Sequence, residues 1–144
     1  MLNPAHPASI TLPQTSLWFN LEVSAVRYPD KPAVIYFGQR IGFARLRDDA
    51  QALAGWLQHH AGVRRGDRVG LYMQNCPQWI TAYYAILRAD AVVVPINPMN
   101  REAELAHIVA DAGLSAAVCS QEGAARLAAA LPGEARVPLV ATRY

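Results

Sequence analysis

The sequence has little cysteine, little charge and no long apolar run. Only two cysteines occur in 144 residues, Cys76 and Cys119, and neither has a second Cys or His at metal-ligand spacing. We therefore expect two buried thiols, no disulfide and no metal site. Charged residues make up 17% and the net charge is +2, so there is no basic stripe of the kind that binds nucleic acid. The most apolar stretch, residues 79–96, is interrupted by Arg88 and Asp90, which excludes a membrane span there.

The N-terminus also lacks the marks of a secretory signal. Residues 1–13 have no basic start and no apolar run, and they carry three prolines. We predict that residues 1–15 form a mobile, proline-rich tail and that the protein is cytoplasmic. The hydrophobic share of 53% is typical of a globular chain, so residues 16–144 are predicted to form one folded unit.

The first half of that unit reads as a helix, a hairpin and a second helix. Thr15 or Ser16 is positioned to cap a helix that runs to about Tyr28, before a proline-rich turn. Residues 33–43 predict a β-hairpin turning at Gly38-Gln39. The apolar spacing of residues 45–60 predicts a helix with one buried face.

From Gly66 onward strands and helices alternate. Strands are predicted at residues 68–73, 91–96, 114–119 and 137–141, with helices to about 89, from 101 to 112 and at 121–131. The run 91–96 has no polar alternation, which indicates a central strand covered on both faces. The fold class is therefore α/β, a largely parallel sheet with flanking helices in Rossmann-like or flavodoxin-like layering, preceded by a helix and a β-hairpin.

Two strand-to-helix loops carry amide side chains. In residues 74–77, Asn75 and Gln78 have capping-box spacing at a helix start that contains Pro77. Residues 97–100 end on Asn100, which is predicted to cap the next helix. Both loops are explained better as caps and turns than as ligand sites.

No recognisable active site is present. Residues 66–70 (GDRVG) precede a strand and lack GxGxxG spacing, and neither a GxxxxGK[ST] loop nor a GxSxG elbow occurs. Asp48 and Asp49 are adjacent on a helix and so point to different faces. The aromatic group of Trp79, Tyr83 and Tyr84 is interpreted as helix packing. We therefore assign no catalytic, cofactor-binding or metal-binding residue in this chain.

An ordered series of short motifs resembles the N-terminal subdomain of the adenylate-forming (AMP-binding) enzyme superfamily, in its acyl-CoA synthetase branch. The motifs are YPDKPAV (28–34), FARL (43–46), GDRV (66–69), QNCPQW (74–79), LRADAVVVPINP (87–98) and EAEL (102–105). Asn97-Pro98 after the valine-rich strand is more similar to medium- or long-chain acyl-CoA synthetases than to amino-acid-activating domains.

The resemblance implies a two-step ligase reaction that uses ATP, Mg²⁺ and CoA. Its phosphate-binding loop and catalytic lysine lie downstream of the region that is similar here. We therefore expect an N-terminal fragment of an ATP-dependent fatty-acid–CoA ligase, a scaffold that is inactive by itself. The alternative is a stand-alone flavodoxin-like binding or interaction module without enzymatic activity.

The resemblance also makes predictions about partners and local geometry. The partner would be the remainder of the full-length chain. The edge and apolar face expected to be exposed where the sheet stops, just after its last strand, would allow a homodimer. The family usually has glycine where this chain has Asp90. Since aspartate tolerates the left-handed region better than most residues, we predict a positive φ at Asp90.

Overall fold

The computed structural model describes residues 12–131 and 137–143, so most of the predicted tail of residues 1–15 lies outside the described residues. The helices are α1 (Leu17–Arg27), α2 (Phe43–His59), α3 (Pro77–Arg88), α4 (Glu102–Ala112) and α5 (Gln121–Ala130). The strands are β1 (Pro32–Tyr36), β2 (Gln39–Gly42), β3 (Arg68–Tyr72), β4 (Val92–Ile96), β5 (Ala116–Ser120) and β6 (Leu139–Thr142).

The predicted α/β fold class is confirmed. Strands β1 and β2 form an antiparallel hairpin, and the other four form a parallel sheet in the order β4-β3-β5-β6. Helix α1 begins at Ser16, whose Oγ accepts a hydrogen bond from the Phe19 N–H at 3.2 Å. That contact confirms Ser16 as the helix cap.

The two faces of the sheet have separate apolar cores. Alternate residues of β3 point to opposite faces, so Leu71 packs with α1, α2 and α3 while Tyr72 packs with α4 and α5. Leu71 and Tyr72 are both fully buried. Cys76 and Cys119 are free, buried thiols in these cores, as predicted. Among the described residues no helix has the length and apolarity to cross a bilayer.

The hairpin turn lies one residue earlier than predicted. Its two central residues are Phe37 (φ 44°) and Gly38 (φ 82°), and not Gly38-Gln39. A two-residue turn with positive φ at both positions matches the twist of the strands on either side. Phenylalanine is an unusual residue there, because a bulky side chain disfavours positive φ. The prediction that Gly38 is the first of the two turn residues was therefore wrong by one position.

Two predicted helix caps are wrong. Helix α3 begins after Cys76 rather than Asn75, and the Gln78 side chain donates to the Arg143 carbonyl instead of closing a capping box. Helix α4 begins after Arg101 rather than Asn100, because the Glu104 carboxylate accepts from the Arg101 N–H at 2.8 Å. In both cases the helix starts one residue later than predicted.

Strand β4 is an edge strand, which corrects the prediction that it is central. Within the described residues it pairs only with β3, and its first residue, Val92, is 48% exposed. Pro95 fits this position, since proline occurs on sheet edges where its missing N–H faces outward. A continuous apolar run therefore does not establish that both neighbours of a strand are present.

The prediction for Asp90 is confirmed. Its φ is 57°, and it lies in the turn between α3 and β4, where its carbonyl accepts from the Gly66 N–H at 2.9 Å. Gly66 also has a positive φ, 85°. The turn thus holds a non-glycine residue in the left-handed region by a hydrogen bond across two loops.

Changing Asp90 to glycine is expected to raise the free energy of unfolding by about 0.5 kcal/mol, because glycine adopts positive φ without a Cβ clash. Asp90→Ala should lower it by about 0.5–1 kcal/mol. Urea unfolding followed by circular dichroism measures both. In the matched control, Asp48→Gly in α2, the same replacement should be destabilising, by about 0.5–1 kcal/mol, because the helix is weakened. Equal destabilisation by both glycine variants would contradict the prediction.

Candidate functional site

The carboxyl ends of the four parallel strands meet at one edge of the sheet. Strand β3 connects through α3 to β4 on one side, whereas the chain then crosses over β3 to reach β5 on the other side. This reversal creates a crevice between the carboxyl ends of β3 and β5, and such crevices are where open α/β sheets bind ligands. We call the side of the sheet where these carboxyl ends lie the carboxyl edge, and we take it as the candidate functional site.

One side of the edge is built on Tyr72, the last residue of β3. Its ring is buried, and its hydroxyl donates to the Pro98 carbonyl at 3.3 Å, which ties β3 to the loop after β4. Within that loop the Asn97 side chain accepts from the Met99 N–H at 3.0 Å. The Asn97 side-chain oxygen is therefore held in a turn, as the sequence predicted.

The other side of the edge is held by a chain of polar contacts. The Gln78 side-chain amide in α3 donates to the Arg143 carbonyl at 2.9 Å. The Arg143 guanidinium in turn donates to the Gln121 side chain at the start of α5. The Gln78 Oε1 atom is buried without a hydrogen-bond partner in the described structure. These contacts join the loops after β3, β5 and β6 into one surface.

The start of α5 packs closely against β3 and so supports the surface formed by these loops. The Ser120 Oγ accepts from the Gly123 N–H at 3.2 Å and so caps the helix. A Cβ on Gly123 would lie 2.8 Å from the Tyr72 ring, so only glycine lets α5 approach β3 this closely. The Tyr72 ring and the Ser120 cap thus fix strands β3 and β5 relative to each other.

The titratable groups near the edge are not those of a catalytic centre. Burial raises the pKa of the Cys119 thiol, which keeps it protonated and a poor nucleophile. Tyr84 lies away from this edge, beside α1 and the hairpin, and burial, reinforced by the neighbouring Tyr83, raises its pKa. The described residues include no group of three or more His, Cys, Asp and Glu side chains arranged to hold a metal ion. The edge therefore offers amide and guanidinium hydrogen bonds for positioning, without a nucleophile paired to a base.

Other residues singled out in the sequence lie elsewhere. Asp48 and Asp49 are separately paired with Arg47 and Arg45 in α2, each at 2.7 Å. The hydrogen bond that the Arg45 guanidinium donates to the Asp49 carboxylate raises the pKa of Arg45. These are exposed ion pairs on a helix surface and contribute little to stability.

Sequence reasoning missed the contact between Gln78 and Arg143. The two residues are 65 positions apart, and Gln78 had already been explained by a local capping box. The available signal was the parallel sheet itself, because it brings the ends of β3 and β6 to the same edge. Topology could therefore suggest the edge, although not the particular pair.

The comparisons with known proteins agree with this architecture. A sequence model of the family described as AMP-binding enzyme matches residues 21–143. The chain belongs to the AMP-binding enzyme family. It is 39% identical over 109 residues to the long-chain-fatty-acid–CoA ligase of Bacillus subtilis (strain 168), which covers 76% of this chain and 19% of that protein.

Two further relatives of this member of the AMP-binding enzyme family show the same relation. The long-chain-fatty-acid–CoA ligase of Escherichia coli O6:H1 is 41% identical over 97 residues, 67% of this chain and 17% of that protein. The crystal structure of the nonribosomal peptide synthetase FmoA3 superposes with a TM-score of 0.79 at 26% identity, covering 92% of this chain and 14% of that one. The chain spans about a fifth of the length of the curated relatives it matches.

Proposed function

We propose that this chain is the N-terminal part of an ATP-dependent fatty-acid–CoA ligase. In the first step the fatty-acid carboxylate attacks ATP to give an acyl-adenylate and pyrophosphate. In the second step the CoA thiol attacks the acyl carbon, giving acyl-CoA and releasing AMP. The observation that supports this proposal most is the 39% identity to the Bacillus subtilis ligase over 76% of the chain. A cytoplasmic location fits the proposal, since the reaction consumes ATP and CoA.

Within such a ligase the described residues would serve as a scaffold. ATP with Mg²⁺ needs oxygen ligands for the metal and a cradle of backbone N–H groups for the phosphates. The carboxyl edge does not fit that demand. Its carboxylates, Glu102, Glu104 and Glu122, belong to no group of three or more possible metal ligands among the described residues, and the Glu104 carboxylate already accepts from the Arg101 N–H. We therefore assign no residue of this chain to ATP, Mg²⁺ or CoA, and place their binding in the remainder of the full-length protein.

The isolated 144-residue chain is expected to show no saturable binding of ATP, CoA or palmitate in calorimetric titration. The scaffold role requires this result, because the residues that would bind these molecules are not at the edge. Tight binding of a nucleotide by the chain alone would contradict the assignment. The alternative of a stand-alone binding module predicts such binding, and no contact in the described structure favours it.

The reaction itself is tested on the polypeptide encoded by the complete reading frame. With Mg²⁺ and a fatty acid, that protein should exchange labelled pyrophosphate into ATP, and the exchange should depend on the acid added. A panel of carboxylic acids of increasing chain length would then identify the substrate. If no acid supports exchange while the protein is folded, the proposed ligase reaction is wrong, whatever the binding properties of the N-terminal part.

A further inference from the structure

An uncharged groove runs along the open edge of the parallel sheet. It has a volume of about 380 Å³ and lies between one face of α3 and strand β4. We call it the β4 groove, and it is lined by Trp79, Tyr83, Leu87, Ala91, Val92, Val93 and Pro95. No lining residue carries a charge, and the only polar side-chain groups in the lining are the indole N–H and the phenol. It lies beside a strand edge, and a strand edge can pair with the backbone of another chain.

The α3 wall of the β4 groove is rigid and aromatic. Trp79, Tyr83 and Leu87 are spaced by four residues and therefore lie on one face of the helix. The Trp79 and Tyr83 rings stack with centroids 5.5 Å apart and planes inclined by 11°. Stacked rings have few rotamers left to lose, so a partner that packs on them costs little side-chain entropy.

Within the described residues, the outer side of the β4 wall has no backbone partner. The Val92 N–H donates toward β3, to the Asp67 carbonyl at 2.8 Å. Because successive residues of a strand direct their amide groups to opposite sides, those of Val93 and Pro95 point away from β3. Pro95 has no N–H, so the outer side of β4 offers one N–H and one carbonyl at Val93 and a carbonyl at Pro95.

These backbone groups are complementary to a second copy of themselves. In an antiparallel pairing about a twofold axis at Val93, the two Val93 residues exchange both of their hydrogen bonds. Pro95 then lies opposite Ala91 of the other copy, and the Ala91 N–H already donates to the Ile86 carbonyl within its own chain. Pro95 has no N–H and the Ala91 N–H is already used, so no N–H is left without a partner. The Pro95 carbonyl gains no donor, and the pairing rests on the two hydrogen bonds between the Val93 residues.

The charge distribution also allows this pairing. A twofold interface brings each surface against its own copy, so a charged patch would oppose like charges. The β4 groove has no charged lining residue, and the whole chain has a net charge of only +2. Repulsion between two copies is therefore small.

We propose that the 144-residue chain forms a twofold dimer through the β4 groove, with the two β4 strands paired antiparallel at Val93. The dimer extends the parallel sheet of each copy into one continuous sheet and stacks the aromatic faces of α3 beside it. The association concerns the 144-residue chain itself and does not depend on the reaction proposed above.

Sedimentation equilibrium over a concentration series tests the dimer. The unchanged chain should approach twice its monomer mass of 15.7 kDa. Val92 lines the groove and is 48% exposed, so Val92→Lys can be introduced without burying a charge in the monomer. In the dimer the two lysines would be diagonal neighbours across the strand pair, and the dissociation constant should rise about tenfold or more.

A charge-swap experiment separates loss of the interface from loss of folding. Val92→Lys and Val92→Glu should each be monomeric, whereas an equimolar mixture should form a mixed dimer because opposite charges then face each other. The matched control is Val26→Lys on α1, where Val26 is 74% exposed and away from the groove, and it should dimerise like the unchanged chain. A monomeric unchanged chain, or dimerisation unaffected by Val92→Lys, would overturn the proposal.

Discussion

Truncation of Leu71 to alanine is expected to lower the free energy of unfolding by about 2–5 kcal/mol. Leu71 is fully buried in β3 and packs in the core beneath α1, α2 and α3. Strand β3 is hydrogen-bonded on both sides, to β4 and to β5, so its backbone cannot move inward to fill the space left by the side chain. The cavity should therefore remain largely open, which places the loss toward the upper part of that range.

Urea denaturation followed by both circular dichroism and tryptophan fluorescence measures this loss. Domains of this size are stable by about 5–15 kcal/mol, so the change is a large part of the total. The matched control is Leu17→Ala on α1, because Leu17 is 54% exposed and alanine is at least as good a helix former. A loss at Leu71 no larger than that at Leu17 would show that the two faces of the sheet are not packed as described.

The periodic patterns predicted most of the fold because each element buries one face. Leu46, Ala50 and Leu57 recur at helical spacing in α2, and all three are buried. The alternation of strands and helices after Gly66 predicted the parallel sheet correctly. These features depend on neighbouring residues in the chain, which is the information that sequence patterns contain. The left-handed Asp90, by contrast, was predicted from the family that the chain resembles, which usually has glycine at that helix end.

Features that depend on distant contacts were not predictable in the same way. Strand β4 is as apolar as a central strand, yet the sequence does not say which strands lie on either side of it. The order β4-β3-β5-β6 places it at the edge. Likewise, the Gln78 amide was assigned to a local cap, although a backbone carbonyl 65 residues away binds it. The arrangement at the carboxyl edge follows from such contacts, so the sequence suggested the loops that form it but not how they are joined.

The same Gly→Ala change is expected to have opposite effects at Gly42 and Gly55. Gly42 joins β2 to α2 with φ −72°, a value that any residue adopts, so its requirement for glycine is steric. A Cβ at this position would lie 2.8 Å from the Pro29 carbonyl oxygen. That oxygen accepts from the Ala44 N–H at 3.0 Å and is held in place. Gly42→Ala should therefore lower the free energy of unfolding by about 1–3 kcal/mol.

At Gly55, inside α2, an added Cβ meets nothing within 4 Å. Alanine removes the helix penalty of glycine there, so Gly55→Ala should raise the free energy of unfolding by about 0.5–1 kcal/mol. Urea unfolding of both variants and of the unchanged chain measures the two changes in the free energy of unfolding. The prediction is that these changes have opposite signs. The clash at Gly42 is with backbone, which a rotamer change cannot relieve, whereas Gly55 has open space. If Gly42→Ala were as stable as the unchanged chain, the hairpin would not sit against the start of α2 as described.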